Sequence, residues 1–238
     1  MAAISGSTGS VTYASGFVTG AYAWSARTIG QILDITTFSP TSDYTMADAG
    51  LLDWQGSYRC RAISTADTTV SLDSGSGYVT NAFAYNVNIT CEALPTTPFT
   101  AVYATRMAGL LSASGTLECY CDSTTALSPG GTEGTLTFTF ASGVTATIPL
   151  IAEAYDIGVS VDGSQRHVRM NFQNSANITS AGSPPLPATT GAATFVAVTG
   201  RQLAGNILVT GCRASKAADR TQGEYEITWV GAATCTPA

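Results

Sequence analysis

Short runs of alternating apolar and polar residues recur along the whole chain, bounded by Gly, Asp, Asn, Ser and Pro. A period of two sends successive side chains to opposite faces of a strand. Segments 11–24 (VTYASGFVTGAYAW), 56–64 (GSYRCRAIS), 84–93 (AYNVNITCEA), 115–121 (GTLECYC), 134–140 (GTLTFTF) and 144–152 (VTATIPLIA) read as strands. So do 156–163 (DIGVSVDG), 166–173 (RHVRMNFQ), 192–200 (AATFVAVTG), 206–212 (NILVTGC) and 225–232 (YEITWVGA). The first is expected to turn back around Gly16. Segments 156–163 and 166–173 are expected to pair around Asp162-Gly163, a strong hairpin signal. Helix signals are few, with STTALS (123–128) and ASKAADR (214–220) each expected to hold a short helix. The Pro-rich 183–191 (SPPLPATTG) reads as an extended linker.

The pattern is written twice. AGLLDWQGSYRC (49–60) returns as AGLLSASGTLEC (108–119), with six of twelve positions identical at an offset of 59. Upstream at the same offset, Thr37, Thr41 and Tyr44 face Thr96, Thr100 and Tyr103. Residues 146–176 have a looser echo in 205–233, each a strand, an excursion and a strand with an aromatic near its end, Phe172 or Trp229. The order is first half, first half, second half, second half. A nested arrangement fits: residues 1–90 plus 190–238 form one β unit and 91–182 a second, with 183–191 linking them. A plain tandem is the alternative. A close Trp54–Trp229 contact would support nesting, and its absence would count against it.

Composition narrows the function. Only 11% of the 238 residues are charged, net charge is −6, and Lys216 is the single lysine. This balance lacks the clustered cations that grip phosphates, so any contact with nucleic acid is expected to be non-adhesive. The N-terminal MAAISGSTGSVTY has neither a basic start nor an apolar run, so no signal peptide is expected, nor a membrane span.

Catalytic chemistry finds little support. His167 is the only histidine, on an alternating strand beside Arg166 and Arg169, and nothing in the sequence supplies a partner for general-base work. The cysteines (Cys60, Cys91, Cys119, Cys121, Cys212, Cys235) contain no C-x-x-C pair, which disfavours zinc. Buried small residues in strands are the expected role. Trp24, Trp54 and Trp229 are read as core anchors or subunit contacts. No enzyme, metal site or cofactor is expected.

The N-terminal part has a Gly/Ser-rich first strand, a strand ending Trp24-Ser25, then Asp34-Ile35-Thr36-Thr37-Phe38. In this order it resembles the tail tube (major tail) proteins of long-tailed bacteriophages. The likeness continues through a loop and a turn at Gly50-Leu51-Leu52-Asp53-Trp54-Gln55-Gly56-Ser57, whose second copy includes Gly109, Leu110 and Gly115. DIGVSVDGSQRHVRMNFQNS resembles the family's later strand pair. The likeness covers 1–62 well and about 130–180 in part. It implies an all-β subunit with one or two short helices, a tail-tube-like sandwich or barrel, here of two fused units. It implies homo-oligomeric rings, trimeric or hexameric, stacked into a tube in the virion and assembled in the host bacterial cytoplasm. Implied partners are other copies, the tape measure, terminator and distal tail proteins, and genomic DNA passing through the lumen without sequence-specific binding; no membrane is implied. A terminator, distal tail or decoration protein of related fold is the alternative. The long loops are expected to carry contacts between rings or subunits: Ser39, Thr41, Asp43, Tyr44, Thr45 and Met46 in the first, Thr100, Tyr103, Arg106 and Met107 in the second. Asp34, Asp43, Asp48, Asp53, Asp156 and Asp162 are candidate lumen charges, with a solvated outer face the default.

Overall fold

A computed structural model describes residues 10–13, 21–34, 47–61, 68–72, 78–98, 101–121, 131, 133–141, 143–159, 166–182, 186–198, 201–217 and 223–237. These form thirteen strands: β1 (Ser10–Tyr13), β2 (Ala21–Asp34), β3 (Ala47–Arg61), β4 (Thr68–Leu72), β5 (Tyr78–Pro95), β6 (Arg106–Cys121), β7 (Glu133–Ala141), β8 (Val144–Val159), β9 (Arg166–Asn174), β10 (Thr179–Ala181), β11 (Thr190–Val198), β12 (Arg201–Lys216) and β13 (Glu224–Pro237). The fold is all-β, with no helix among the described residues. Of the expected helices, Ala214–Lys216 belongs to β12, and 123–128 lies outside the described residues.

All pairings belong to one large sheet, in the order β2-β3-β13-β12-β5-β4-β7-β8-β9-β6, with β11 on β12, β1 on β11, β10 on β8 and a further β5–β6 ladder. The order contains one ladder pattern twice. Hairpin β2–β3 slips register at Ala21/Ala23 and Gly30/Ile32, and hairpin β5–β6 slips at Ala82/Ala84 and Cys91/Ala93. The first-strand positions differ by 61 throughout. The second half repeats at a step of 57. Ladder β12–β13 slips at Val209/Gly211 opposite Trp229 and Thr228, and β8–β9 at Ala152/Ala154 opposite Phe172 and Asn171. Ladders β11–β12 and β7–β8 share the same slip, at Val196/Val198 and Thr139/Ala141. Then β3 pairs with β13, Gly56 opposite Trp229, and β6 with β9, Gly115 opposite Phe172. A bulge costs an unpaired residue and bends the strand. Its recurrence at matched positions is a backbone repeat consistent with internal duplication.

Strands β4 to β10 therefore repeat the ladders of β1–β3 with β11–β13, which flank them in the chain. The Trp54 and Trp229 rings stand edge to face at 4.8 Å. The sequence-based boundary at 90/91, however, falls inside β5. The Pro-rich stretch is also not a free linker in its described part. Leu186 and Pro187 are buried, the Ala188 N–H donates to the Val209 carbonyl at 3.0 Å, and Thr189 Oγ1 donates to the Leu186 carbonyl at 2.6 Å.

Three further expectations are corrected. Strand β1 pairs with β11, not with β2, so 11–24 is not a hairpin. Segments 144–152 and 156–159 are one strand, β8, broken in register only by the bulge at Glu153. The Gly50–Ser57 "turn" lies within β3. A glycine inside a strand mimics a turn signal when a bulge is its cause. A Cβ on Gly50 would meet Leu33 Cγ at 2.9 Å and Gln31 Cβ at 3.2 Å, and one on Gly109 would meet Glu92 Cβ at 3.1 Å and Leu94 Cγ at 3.4 Å. Both glycines thus face the bulged residue of the neighbouring strand.

The core is continuous across both repeats. In the first, Phe195 stacks on Trp229 at 4.8 Å, Trp54 meets Phe195 edge-on at 6.4 Å, and Trp24 lies 5.6 Å from Phe195. The matched positions in the second are Phe138, Phe172, Ala113 and Tyr85, with Tyr85 at 5.5 Å from Phe138. Where Trp54 fills the first core, a Cβ on Gly231 would stand 2.1 Å from its Cδ1. The second repeat has Ala113 and Asn174 in those places, and Asn174 Oδ1 accepts from the Ala113 N–H at 2.8 Å.

Candidate assembly surfaces

Two long hairpins, β2–β3 and β5–β6, extend beyond the cores, and the bulges at Gln31 and Glu92 mark where they do so. Their tips carry large apolar side chains in solvent: Ile32 (78% exposed) and Leu33 on the first, Met107, Leu110 (88% exposed) and Leu111 on the second. Exposed apolar residues gathered at one end of an element mark contact surfaces more often than scattered ones do.

The chain between β5 and β6 crosses to the first hairpin. The Leu52 N–H donates to the Val102 carbonyl at 2.9 Å, and the Ala104 N–H donates to the Leu52 carbonyl at 2.8 Å. Arg106 holds Asp53 with both ends of its guanidinium, at 2.7 and 2.5 Å, and also donates to the Gly231 carbonyl at 3.0 Å. The hydrogen bond to Asp53 raises the Arg106 pKa above its ordinary value, against a smaller lowering by burial. Tyr103 donates from its hydroxyl to the Cys235 carbonyl at 3.2 Å. The segment thus ties the inserted repeat to the outer one.

Tyr103 and Arg106 make contacts within the chain, and Asp53 is an ion-pair partner rather than an open surface charge. Met107, along with Val102, remains exposed. Ser39, Thr41, Asp43, Tyr44, Thr45, Met46 and Thr100 lie outside the described residues, as do Thr37 and Phe38 of the motif. Of the other motif positions, Asp34 ends β2 opposite Ala47, Trp54 is buried, Trp24 and Leu51 are half-buried, and Gly50, Gly56, Gly109 and Gly115 serve close packing. The ion pair could have been found where the copies disagree: Asp53 faces Ser112, and Arg106 faces Ala47. Neither copy could form it alone.

The chain matches no protein-family model and no characterised protein sequence.

His167 is exposed on β9. Among the described residues, no three His, Cys, Asp or Glu side chains gather into a metal site. Cys60, Cys91, Cys119, Cys212 and Cys235 are buried and unbridged. Burial pushes the Cys60 and Cys212 thiols up to about 12. A thiol held protonated is a poor nucleophile and metal ligand. Among the described residues, no helix is long and apolar enough to cross a membrane.

Proposed function

We propose that this chain is a structural subunit of a long-tailed bacteriophage virion, assembling into stacked rings that form the tail tube. The observation that carries the reading is the joint between β12 and β5. There the two repeats are fused side by side by ordinary antiparallel pairing, Gly211–Lys216 against Thr90–Tyr85. A unit that already joins its own copy through strand edges is suited to continue the same way between chains, because edge pairing removes exposed backbone donors and acceptors. The sequence resemblance supplies the tube, and the fused units make three chains per six-unit ring the natural count. Each repeat is read as one tail-tube-like sandwich or barrel.

Two features support stacking and conduction. Apolar hairpin tips provide surface for a neighbouring ring. A net charge of −6 with little cationic surface lets DNA pass without sticking. The test is negative-stain microscopy of purified chain over a concentration series, with mass per unit length. Hollow rods with three chains per ring are expected. Single discs that never stack favour a terminator or distal tail role, and six chains per ring refute the fused-unit count.

A further inference from the structure

The internal joint has two unmatched counterparts. Stepping β12 back by 57 and β5 back by 61, the residues of the joint become Ala154–Val159 of β8 and Trp24–Ile29 of β2. Among the described residues, β2 pairs only with β3 and ends the sheet. Among the described residues, Ala154–Val159 pairs only with β9. The other edge of this segment is the one that matters. In β12, the edge carrying β11 goes on to carry β5, whereas in β8 the corresponding edge carries β7 up to Ile151 and, among the described residues, no partner beyond the Gly131–Ala152 hydrogen bond.

The described surroundings of β2 differ from those of β5. Tyr85, Val87 and Ile89 of β5 are buried beneath the joint. Their counterparts Trp24, Ala26 and Thr28 instead border an open groove of ≈ 430 Å³ that Phe195 and Leu203 also line. Resting on the ring reading above, we propose that Ala154–Val159 of one copy adds to the outer edge of Trp24–Ile29 of the next, in the register of the internal joint.

That register is specific and can be read residue by residue. Cys212 opposite Ile89 becomes Tyr155 opposite Thr28, Ala214 opposite Val87 becomes Ile157 opposite Ala26, and Lys216 opposite Tyr85 becomes Val159 opposite Trp24. These three incoming positions share the face of the strand that borders the groove, and all three are apolar. On the other face, Arg213 opposite Asn88 becomes Asp156 opposite Arg27. The internal joint has a polar contact on this face, Arg213 Nε donating to Asn86 Oδ1 at 3.2 Å, and the joint between copies has opposite charges. Opposite charges facing across an antiparallel pair favour it, and a one-residue slip would turn the apolar set away from the groove. The contact uses different surfaces on the two copies, so it propagates head to tail and closes into a ring when the rotation permits.

The test mixes two full-length variants, Arg27→Cys and Asp156→Cys, with a short bis-maleimide as probe. Directly opposed positions place Cβ atoms about 5 Å apart, within its reach. A linked pair is expected from the mixture and from neither variant alone, with wild type as the control for native thiols. As a second readout, Arg27→Asp should weaken association about tenfold and Asp156→Arg in the same chain should restore it. No linkage in the mixture while wild type forms rods overturns this joint and leaves the ring reading standing. Linkage without rings or rods supports the joint and removes the ring reading. Neither linkage nor assembly removes both.

Discussion

Replacing Gly56 by alanine would put a methyl carbon 2.0 Å from the Ser25 carbonyl oxygen and 2.5 Å from Trp229 Cζ2. Both neighbours are held: Ser25 is paired within the hairpin ladder, and Trp229 is packed between Trp54 and Phe195. Reaching even 3.0 Å requires the carbonyl to retreat by 1.0 Å, which the β2–β3 ladder resists. Overpacking of this kind costs about 1–3 kcal/mol, and two rigid neighbours put Gly56→Ala at about 3 kcal/mol. Gly115→Ala meets the Asn86 carbonyl oxygen at 2.3 Å and should cost nearly as much. Gly30→Ala is the control, because its methyl would meet only Leu52 Cδ2, at 3.5 Å. It should be neutral or stabilise by up to about 1 kcal/mol through a less free unfolded chain. The assay is urea unfolding at fixed low subunit concentration, followed by tryptophan fluorescence. With a slope of about 3 kcal/mol/M, Gly56→Ala lowers the midpoint by about 1 M. A Gly56→Ala midpoint within 0.2 M of wild type, or an equal loss in Gly30→Ala, would refute the close-approach argument, the threshold being about 0.5 kcal/mol on the same slope.

Arg106→Ala removes both arms of a half-buried ion pair and should cost about 1–3 kcal/mol, while Arg106→Lys recovers only part because a bidentate fork is lost. Limited proteolysis between 96 and 105 should quicken in both, and unchanged cleavage would mean that the segment is held by its backbone bonds alone. The thiols of Cys60 and Cys212 are raised in the folded state from 9.0 to about 12, so their contribution is present below pH 9 and is lost as pH rises from 9 towards 12. Each thiol that ionises only on unfolding steepens the fall by up to about 1.4 kcal/mol per pH unit, and Cys60→Ala/Cys212→Ala should flatten the alkaline limb of the urea midpoint. An equally steep limb in the double variant would exclude these thiols as its cause. Ala188 has φ of 71°, where the matched position in the second repeat is Gly131 at 88°, so Ala188→Gly should be neutral or stabilise by about 1 kcal/mol. A loss above about 1 kcal/mol would show that the Ala188 methyl contributes more by packing than its backbone costs.

The parts of this fold legible in the sequence are those governed by local period. Alternation marks GTLTFTF and RHVRMNFQ as strands because one face of each is buried and the other is not. The repeat is legible at Gly56 and Gly115 because both copies need the same absent Cβ. Strand starts were misread at Gly50 and Gly109, where glycine accommodates a bulge on the neighbouring strand, a demand set by residues almost twenty positions away. The Asp53–Arg106 tie had no local signature, since it joins two copies at positions where each lacks the other's partner. The edge of β2 was also invisible, because its inward residues alternate like those of a covered strand.

The exchange of Trp54 and Gly231 for Ala113 and Asn174 has a consequence for how the chain finds its fold. Two hairpins with matched bulges, synthesised one after the other, must each choose between two return strands in matched ladders, β9 and β13. The return strand made first, β9, is the wrong one for the hairpin made first. Were β3 to dock on β9, the Trp54 indole would run into Asn174; were β6 to dock on β13, Ala113 and Gly231 would face each other across a void. Both errors cost several kcal/mol by overlap or cavity, whereas the correct choices cost neither. Bulky against tiny in one copy, and small against medium in the other, therefore disfavours an exchange of return strands between the two hairpins.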